Sequence, residues 1–295
     1  MSEPRRTPIA ELARRLQSFA GAALKDYPKG DRRARIVAVA AQKGGVGKTT
    51  SAVHLAWALA QDPSRKVLLV DLDPQGHVAA SLRGLIAGRR GSLSDVLLAR
   101  DQELLDLAQP ARDSLLELVL SDKRLAETEG ILSSKIGKEF HLRRTLERTK
   151  THYDWIILDC PPHLGELTLN ALVAADEVIV PTQLSALAFE GVHDLLDALA
   201  KVGEHMNPNL GVLGILLTQV DSRTPAANLA VRRQIESTFG PVVLKTEIPI
   251  NSAVRQAQME GLPLFRFAPK ASAALAYERL AEEVSGREAE EHWAP

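Results

Sequence analysis

The sequence predicts an α/β fold: a doubly wound, mostly parallel sheet with helices on both faces. Short apolar runs alternate with longer helical patterns from Arg35 onward, and this alternation is typical of parallel strands joined by crossover helices. Several of the runs are apolar throughout, as in strands that are covered on both faces. A glycine-rich segment lies between the first run and the first helical pattern, at the edge of the sheet where such folds bind ligands.

The positions of these runs predict the individual elements. A helix over Ala52–Ala60 follows the glycine-rich segment, and another over about Ala271–Glu283 lies near the end of the chain. The predicted strands are Ile36–Ala41, Val67–Asp71, Leu115–Leu120, Trp155–Asp159, Glu177–Val180, Val212–Thr218 and Val242–Lys245.

The composition is that of an ordinary globular protein, and it favours the cytoplasm. The 295 residues, 45% of them hydrophobic and 25% charged, suffice for one large core or two small ones. A net charge of −1 gives no bulk attraction to nucleic acid or membrane, so such binding requires a local patch. The single cysteine, Cys160, excludes an internal disulfide and suits a reducing compartment. No apolar run approaches the roughly 20 residues of a membrane span, and the N-terminus lacks the apolar core of a secretory signal.

Charge and spacing predict three segments: a basic amphipathic helix and linker over residues 1–34, the main domain over 35–286, and an acidic tail over 287–295. Residues 1–35 contain nine basic and four acidic side chains, a net charge of +5. Over residues 278–295, six glutamates and two arginines give a net charge of −4. Apolar residues near the N-terminus recur at three- and four-residue spacing, which predicts one helical face. That face consists of Ile9, Leu12, Leu16, Phe19 and Ala23.

The glycine-rich segment runs from Gln42 to Thr50 and reads Gln-Lys-Gly-Gly-Val-Gly-Lys-Thr-Thr. Successive N–H groups of such a loop can turn inward and hold phosphate oxygens, and the following helix presents its positive end to the same anion. Lys48 then reaches the β- and γ-phosphates, and the Thr49 hydroxyl binds Mg²⁺. Gln42 replaces the first glycine of the standard pattern, but a second lysine, Lys43, stands five residues before Lys48.

The pairing of Lys43 with Lys48 resembles the deviant Walker A ATPases, a group of P-loop NTPases that includes the ParA and MinD families. The resemblance extends from about Arg35 to Val284, and it implies ATP and Mg²⁺ as cofactors. It also implies that Lys43 crosses a dimer interface to the partner's nucleotide, so that ATP joins two subunits in a sandwich. A role of Lys43 within its own subunit is the alternative. The implied nucleotide contacts are Gly44, Gly45, Val46, Gly47, Lys48, Thr49 and Thr50.

Two apolar strands end in carboxylates. Asp73 follows Val67–Asp71, and side chains two residues apart at a strand end point the same way. By the resemblance, Asp73 orients or polarises the attacking water, and Asp71 lies near the Mg²⁺ shell. The plainer interpretation is an Asp-Pro turn that closes a strand. Trp155–Asp159 has the Walker B form, in which Asp159 holds Mg²⁺ through water.

Two later segments are candidates for base recognition. Thr218–Asp221 lies where GTPases often carry Asn-Lys-x-Asp, and Gln219 in place of the lysine argues against guanine. By the resemblance, Pro249 and Asn251 lie where relatives close over adenine. An ordinary strand-to-helix turn is the alternative for both segments. The predicted base contacts are therefore Gln219, Pro249 and Asn251.

The two families differ in the surface that they bind. A ParA-like protein binds double-stranded DNA without sequence preference as an ATP dimer, and a ParB-like or other adaptor protein releases it by stimulating hydrolysis. A MinD-like protein binds membrane through a basic amphipathic helix at its C-terminus, which the acidic C-terminus here disfavours. The basic N-terminal helix keeps a small version of the membrane alternative open. Non-specific DNA contacts require basic surface side chains. The candidates are Arg223, Arg232, Arg233 and Arg255, with Arg266 and Lys270 further along.

The sequence therefore predicts a slow, adaptor-stimulated ATPase of the ParA type, cytoplasmic and nucleoid-associated, that positions a DNA segment or another cargo. The N-terminal helix has three possible uses: binding the adaptor, docking on the core, or adding DNA contacts. The arginines that could add DNA contacts are Arg5, Arg6, Arg14, Arg15, Arg32, Arg33 and Arg35. A metabolic ligase of the same superfamily needs a pocket for a substrate acid, and no residue set in the sequence demands one.

Overall fold

The computed structural model describes residues 30–98, 103–221, 223 and 225–287, so the predicted N-terminal helix lies outside the described residues. A mostly parallel sheet with helices on both faces confirms the predicted fold class. The strands are β1 (Arg35–Val39), β2 (Val67–Asp71), β3 (Gln109–Pro110), β4 (Leu116–Val119), β5 (Trp155–Asp159), β6 (Glu177–Gln183), β7 (Gly211–Val220) and β8 (Val243–Pro249).

Helices connect most of these strands, and within the described ranges none is long and apolar enough to cross a membrane. They are α1 (Lys48–Leu59), α2 (His77–Ser81), α3 (Leu93–Leu98), α4 (Leu125–Leu132), α5 (His141–Thr149), α6 (Glu166–Ala174), α7 (Ala186–His205), α8 (Pro225–Phe239), α9 (Ser252–Glu260), α10 (Leu264–Phe267) and α11 (Ser272–Gly286). Short 3-10 turns occupy Arg83–Leu85, Leu104–Leu107, Lys138–Phe140 and Gly240–Val242.

The strands form one sheet in the order β3-β4-β2-β5-β1-β6-β7-β8. All neighbours are parallel except β3 and β4. Because parallel strands end at the same edge, the residues that follow β1, β2, β5, β6, β7 and β8 meet there. Asp71 of β2 lies directly opposite Asp159 of β5, which in turn lies opposite Val39 of β1. The sheet therefore places the two acidic strand ends beside the strand that leads into the glycine-rich loop.

The central strands supply side chains alternately to two buried cores. In β1, Ile36 and Ala38 belong to the core that includes α5, α6 and α7. Val37 and Val39 belong to the core on the other face, which includes α1 and α11. Both faces of the strand are thus covered, which explains why the strand is apolar throughout.

The structure differs from the predicted elements mainly at the edges of the sheet. β3 was not predicted, because a two-residue strand that contains a proline carries no periodic signal. The prediction ended the last strand at Lys245, whereas β8 continues to Pro249 and carries the partly exposed Glu247. Burial alternates along β8, but one of its buried positions is the polar Thr246, so the apolar pattern in the sequence stops at Leu244.

Basic residues near the predicted domain boundaries are held by the domain. Arg32 forms an ion pair with Asp154, and Arg35 forms one with Glu177 at the start of β6. Arg287 donates to a backbone carbonyl of β7 at 3.0 Å. Arg32 and Arg35 were predicted as possible DNA contacts, which stays a prediction; in the structure, their ion pairs anchor the start of β1.

Candidate functional site

Two adjoining cavities lie at the carboxyl edge of the sheet. The first, of about 470 Å³, is called the phosphate cavity. It is bordered by Gly44, Gly45, Gly47, Lys48, Thr49, Thr50, Asp73, His77, Ala80, Ser81, Pro162, Gln219 and Gln258. The second, of about 510 Å³, is called the base cavity. It shares Gly47, Thr50, Gln219 and Gln258 with the first and is completed by Thr218, Arg223, Ile248, Pro249, Ile250, Asn251, Ser252, Val254, Arg255 and Tyr277.

The loop between β1 and α1 has a backbone suited to binding phosphate. Gly45 (φ +76°) and Gly47 (φ +87°) have positive φ angles, which only glycine adopts without a steric penalty. A β-carbon on the exposed Gly44 would meet nothing within 4 Å, so its surroundings in this subunit do not require glycine. Helix α1 begins at Lys48, and the free N–H groups of its first turn lie directly after the loop.

Side chains at the ends of β6 and β7 support this loop. The Thr218 hydroxyl donates to the carbonyl of Val46 at 2.8 Å. The amide of Gln219 donates to the carbonyl of Gly45 at 2.7 Å, and the amide of Gln183 donates to the same oxygen at 3.1 Å. Two consecutive carbonyls of the loop are therefore fixed against the sheet.

The two lysines of the loop occupy different surroundings. Lys48 is buried, and its ammonium donates to the Lys43 carbonyl at 3.0 Å. Burial lowers the pKa of Lys48, while the carboxylates of Asp159 and Asp73 act in the opposite direction. The side chain of Lys43 lies along α7 of its own subunit, since a β-carbon on Gly191 would be 3.7 Å from its methylene carbons.

Asp71 is buried behind the cavity rather than bordering it. Its two carboxylate oxygens accept hydrogen bonds from the N–H of Asp73 (3.0 Å) and the hydroxyl of Ser121 (3.2 Å). Burial, together with the neighbouring Asp159, raises the pKa of Asp71 well above its usual range. Asp71 was predicted near the Mg²⁺ shell, which stays a prediction; in the structure its carboxylate supports the turn that carries Asp73.

Asp159 suits the predicted role of a Mg²⁺ ligand better than Asp71 does. Both of its carboxylate oxygens are buried, and no group in the described part of the chain meets them with hydrogen-bond geometry. Burial raises the pKa of Asp159 to about 7, although the nearby Thr49 hydroxyl and the Lys48 ammonium lower it. An unsatisfied carboxylate beside a hydroxyl suits Mg²⁺, which keeps several waters and takes phosphate oxygens as further ligands. Residues 30–287, where described, contain no cluster of three acidic, histidine or cysteine ligands, so the phosphates would have to complete the shell.

Asp73 borders the phosphate cavity together with the glycine-rich loop. One of its oxygens accepts from the N–H of Gln75 at 2.9 Å, and the other lies 4.0 Å from Nδ1 of His77. Gly76 (φ +66°) makes the sharp turn between these two residues possible. Asp73 is therefore held by the turn while its second oxygen faces an exposed imidazole.

The predicted base contacts meet in the base cavity. Gln219 and Pro249 come from the ends of β7 and β8, and Asn251 follows β8. Asn251 also has a structural role, because its side-chain oxygen accepts from the N–H of Ala253 at 2.9 Å and caps α9. Tyr277 of α11 reaches the same cavity from a distant part of the sequence.

Two of the arginines predicted to bind DNA border the base cavity. Arg223 is 81% exposed, and its guanidinium pairs with Asp221 at 2.8 Å. Arg255 is exposed on α9. The positively charged side chains on this rim therefore stand next to the space predicted for the nucleotide.

The other two predicted DNA contacts differ from each other. Arg233 is exposed on α8, whereas Arg232 lies 2.7 Å from Glu247 of β8 in a partly buried ion pair. DNA contact by Arg232 stays a prediction, and it would require the side chain to leave this ion pair. Arg266, a further candidate, donates to the Asp113 carbonyl and lies beside a tryptophan ring.

Sequence reasoning missed several residues that border the site or its loop, among them Gln183, His77, Gln258 and Tyr277. His77 could have been predicted from the sequence, because it directly follows the Asp-Pro-Gln-Gly turn. Tyr277 carries no local signal, since only the packing of α11 on α1 brings it to the site.

Comparisons with known proteins identify the family. A family model described as an AAA domain matches residues 34–212. The sporulation initiation inhibitor protein Soj of Bacillus subtilis is 38% identical over 253 residues, covering 85% of this chain and 98% of Soj. The chromosome partitioning protein ParA of Myxococcus xanthus is 36% identical over 266 residues, covering 89% of this chain and 93% of that ParA. The chain belongs to the ParA family of P-loop ATPases.

A solved structure shares the fold of this ParA-family chain. The cobyrinic acid a,c-diamide synthase of Mycobacterium smegmatis with bound ADP and magnesium is 35% identical, with a TM-score of 0.69. The alignment covers 84% of this chain and 93% of that one. The same synthase was also crystallised with an ATP analogue and magnesium. The likeness confirms the predicted P-loop fold and agrees with ATP and Mg²⁺ as the predicted cofactors.

Proposed function

We propose that this ParA-family chain binds ATP with Mg²⁺, forms an ATP-dependent sandwich homodimer and binds DNA without sequence preference. Hydrolysis is slow, and a ParB-like or other adaptor protein stimulates it and so releases the dimer. The protein positions a DNA segment or another cargo on the nucleoid in the cytoplasm. The phosphate cavity is the observation that carries this proposal, because the loop with Lys48 and the strand-end Asp73 border one space there.

Each residue of the phosphate cavity has a distinct task in this proposal. Thr49 and, through water, Asp159 hold Mg²⁺, which neutralises phosphate charge when it is bound. Lys48 and the N–H groups that begin α1 hold the phosphates. Asp73 orients the attacking water. Such a reaction depends on positioning and charge stabilisation rather than on covalent chemistry by the protein.

The loop also offers room for a second subunit. Gly44 is exposed, and the space on the side of its missing β-carbon is open, which supports close approach by another backbone. The side chain of Lys43 lies along its own α7, so it must swing outward to reach a partner's nucleotide. The flexible four-carbon stem of lysine permits this movement. A cation supplied from the partner would stabilise the charge that develops on the γ-phosphate.

The proposed DNA surface consists of the exposed Arg223, Arg233 and Arg255. Three phosphate contacts in one subunit predict a slope of about −3 for log K against log salt, and six contacts in a dimer predict about −5. Two sites joined in one dimer also bind with avidity. ATP-dependent dimerisation therefore contributes to ATP-dependent DNA binding.

Fluorescence anisotropy with a random-sequence duplex tests this proposal. Binding is measured with ATP–Mg²⁺, with ADP and without nucleotide, across a salt series. The expected result is tight binding only with ATP and a slope near −5 (about 0.9 per phosphate contact). Arg143→Glu is the matched control for Arg223→Glu, because Arg143 borders a cavity next to the starts of β1 and β6, at the opposite edge of the sheet. Only Arg223→Glu should weaken DNA binding.

Absence of DNA binding in every nucleotide state would overturn the proposal. Sedimentation with anionic liposomes then decides whether the MinD-like membrane alternative replaces it. ATP-dependent sedimentation of the full chain would favour that alternative.

The likeness to the diamide synthase favours ATP-dependent amide synthesis as a second candidate. A thiolate that releases ammonia from a side-chain amide for such a reaction must be activated by a lowered pKa or by an adjacent base. Cys160, the single cysteine of the sequence, is buried, and burial raises its pKa, so it cannot serve as that thiolate. Mass spectrometry after incubation with ATP, Mg²⁺, ammonium and cobyrinic acid tests this candidate. An amidated product formed together with ADP would favour the synthase over the positioning ATPase.

A further inference from the structure

The end of β7 fixes two consecutive peptide units of the phosphate-binding loop. Gln219 holds the carbonyl of Gly45, and Thr218 holds the carbonyl of Val46. In a trans peptide, the C=O and the following N–H point to opposite sides of one rigid plane. The N–H groups of Val46 and Gly47 are therefore turned away from β7, which leaves them available to an anion on the other side of the loop.

Gln219 has an unusual backbone conformation for this position. Its φ of +52° lies in the left-handed region, which non-glycine residues seldom adopt, and among the described non-glycine residues only Asp113 also has a positive φ. Such conformations persist where surrounding contacts enforce them, and they are common at functional sites. Gln219 also borders both the phosphate cavity and the base cavity. Its side chain and its strained backbone thus stand at the junction of the two.

The turn that carries Arg223 begins two residues after Gln219. The carboxylate of Asp221 accepts from the backbone N–H of Arg223 at 2.9 Å and from its guanidinium at 2.9 and 2.8 Å. The carbonyl of Val220 accepts from the N–H of Ile250 at 3.0 Å, which ties the turn to the wall of the base cavity. Hydrogen bonds therefore tie the residues that follow Gln219 both to Arg223 and to the wall of the base cavity.

We propose that Gln219 is a positioning residue that couples the phosphate-binding loop to the Arg223 turn. This inference rests on the proposed function, in which Arg223 contacts DNA. A phosphate bound to the N–H of Val46 polarises that peptide and strengthens the hydrogen bond at the Gly45 carbonyl, because linked hydrogen bonds reinforce one another. ATP thereby stabilises the Gln219 contact and the turn beyond it. By thermodynamic reciprocity, DNA bound at Arg223 raises the affinity for ATP by the same factor.

Gln183 provides a matched control within the same site. Its amide donates to the same Gly45 carbonyl, at 3.1 Å, but it comes from β6, which leads into α7 rather than into the Arg223 turn. Gln183→Met and Gln219→Met each remove one donor from one oxygen with little change in side-chain size. The two variants therefore separate support of the loop from coupling to the turn.

The test measures DNA affinity of the full chain with and without ATPγS–Mg²⁺ and takes the ratio as the coupling. Loss of one hydrogen bond should reduce this ratio about three- to tenfold in Gln219→Met. Gln183→Met should leave the ratio unchanged, even where both variants weaken binding of a fluorescent ATP analogue to a similar degree. Gln219→Asn should behave like Gln219→Met, because asparagine adopts the left-handed backbone readily but is too short to reach Gly45.

Equal ratios in Gln219→Met and wild type would overturn the inference, as would an equal fall in both methionine variants. Retained coupling in Gln219→Asn would also overturn it, because the contact would then be dispensable. If the wild type binds no DNA with ATPγS, the proposed function fails, and the inference fails with it. If the Gln219 variants show the same coupling as wild type, only the role assigned to Gln219 fails, and the proposed function stands.

Discussion

Replacing Asp159 with asparagine tests the electrostatics of the candidate site. Asp159 lies opposite Asp71 in the sheet, and burial raises its pKa from 3.8 to about 7. One pKa unit corresponds to about 1.4 kcal/mol. Above pH 7 the ionised Asp159 therefore costs the nucleotide-free protein a few kcal/mol of folding free energy.

The sign of the pH dependence follows from proton binding. Between about pH 4 and 7 the folded protein keeps a proton that the unfolded chain has lost, so the free energy of unfolding falls as the pH rises through this window. Asp159→Asn removes this loss, but an amide without a hydrogen-bond partner costs about 1–3 kcal/mol. The variant should therefore be more stable than wild type by about 1–3 kcal/mol at pH 8. Its advantage should be about 3 kcal/mol smaller at pH 5, where the wild-type side chain carries its proton.

Urea unfolding in EDTA without nucleotide, at pH 5 and pH 8, measures both values. Asp122→Asn is a control of opposite sign. Burial acts to raise the pKa of Asp122, but hydrogen bonds from Ser94, Ser92 and Arg124 outweigh burial and lower it, so the loss of this carboxylate should destabilise the protein at both pH values. A destabilised Asp159→Asn at pH 8, or an effect of equal size at both pH values, would refute the reasoning. With ATP and Mg²⁺ present the order should reverse, because ligand binding stabilises mainly the wild type.

Four further outcomes are expected. Lys48→Ala should abolish nucleotide-dependent dimerisation, and an unchanged ATP-dependent dimer in size-exclusion chromatography would contradict this. Asp73→Ala should form an ATP-bound dimer that releases no phosphate, so phosphate release at the wild-type rate would exclude Asp73 as the water-orienting group. Arg223→Glu should lower DNA affinity about tenfold, whereas Arg232→Glu, at an ion pair with a β8 glutamate, should mainly lower the melting temperature; equal losses of DNA affinity would return Arg232 to the DNA surface. Burial lowers the pKa of His54 from 6.5 to about 4, so the unfolded chain takes up a proton first as the pH falls, and about 3 kcal/mol of stability should be lost over that window. His54→Gln should flatten this part of the pH profile in urea unfolding, and an unchanged profile would assign the loss to other groups.

The residues at the strand ends could be predicted because their signals are local. Asp71 and Asp159 each close an apolar run, and the glycine-rich loop follows such a run directly. A parallel sheet then brings these ends to one edge, as the register between Asp71 and Asp159 shows. Pattern and topology together therefore sufficed to place Lys48, Thr49 and Asp73 around one cavity.

The remaining parts of the site depend on contacts between distant segments. Tyr277 reaches the base cavity because α11 packs on α1, and Gln183 reaches the loop because β6 continues beyond its apolar run. Asp71 and Asp159 look alike in the sequence, yet Ser121 occupies an oxygen of one while both oxygens of the other stay unsatisfied. No sequence pattern distinguishes these two environments, because the difference arises from side chains on other strands.

The availability of an arginine to DNA is also decided by its neighbours in space. Arg232 and Arg233 are adjacent in α8, but one turns toward Glu247 of β8 and the other toward solvent, since successive helix positions are about 100° apart. The proposed DNA surface therefore has few positive charges in each subunit. One of them, the guanidinium of Arg223, already forms an ion pair with Asp221. The chain as a whole has a net charge of −1, so outside local basic patches, such as the predicted N-terminal helix, the surface adds no attraction to a polyanion. We therefore expect a single subunit to bind DNA weakly through these arginines, and we expect dimerisation by ATP, which doubles the contacts, to strengthen the proposed DNA binding.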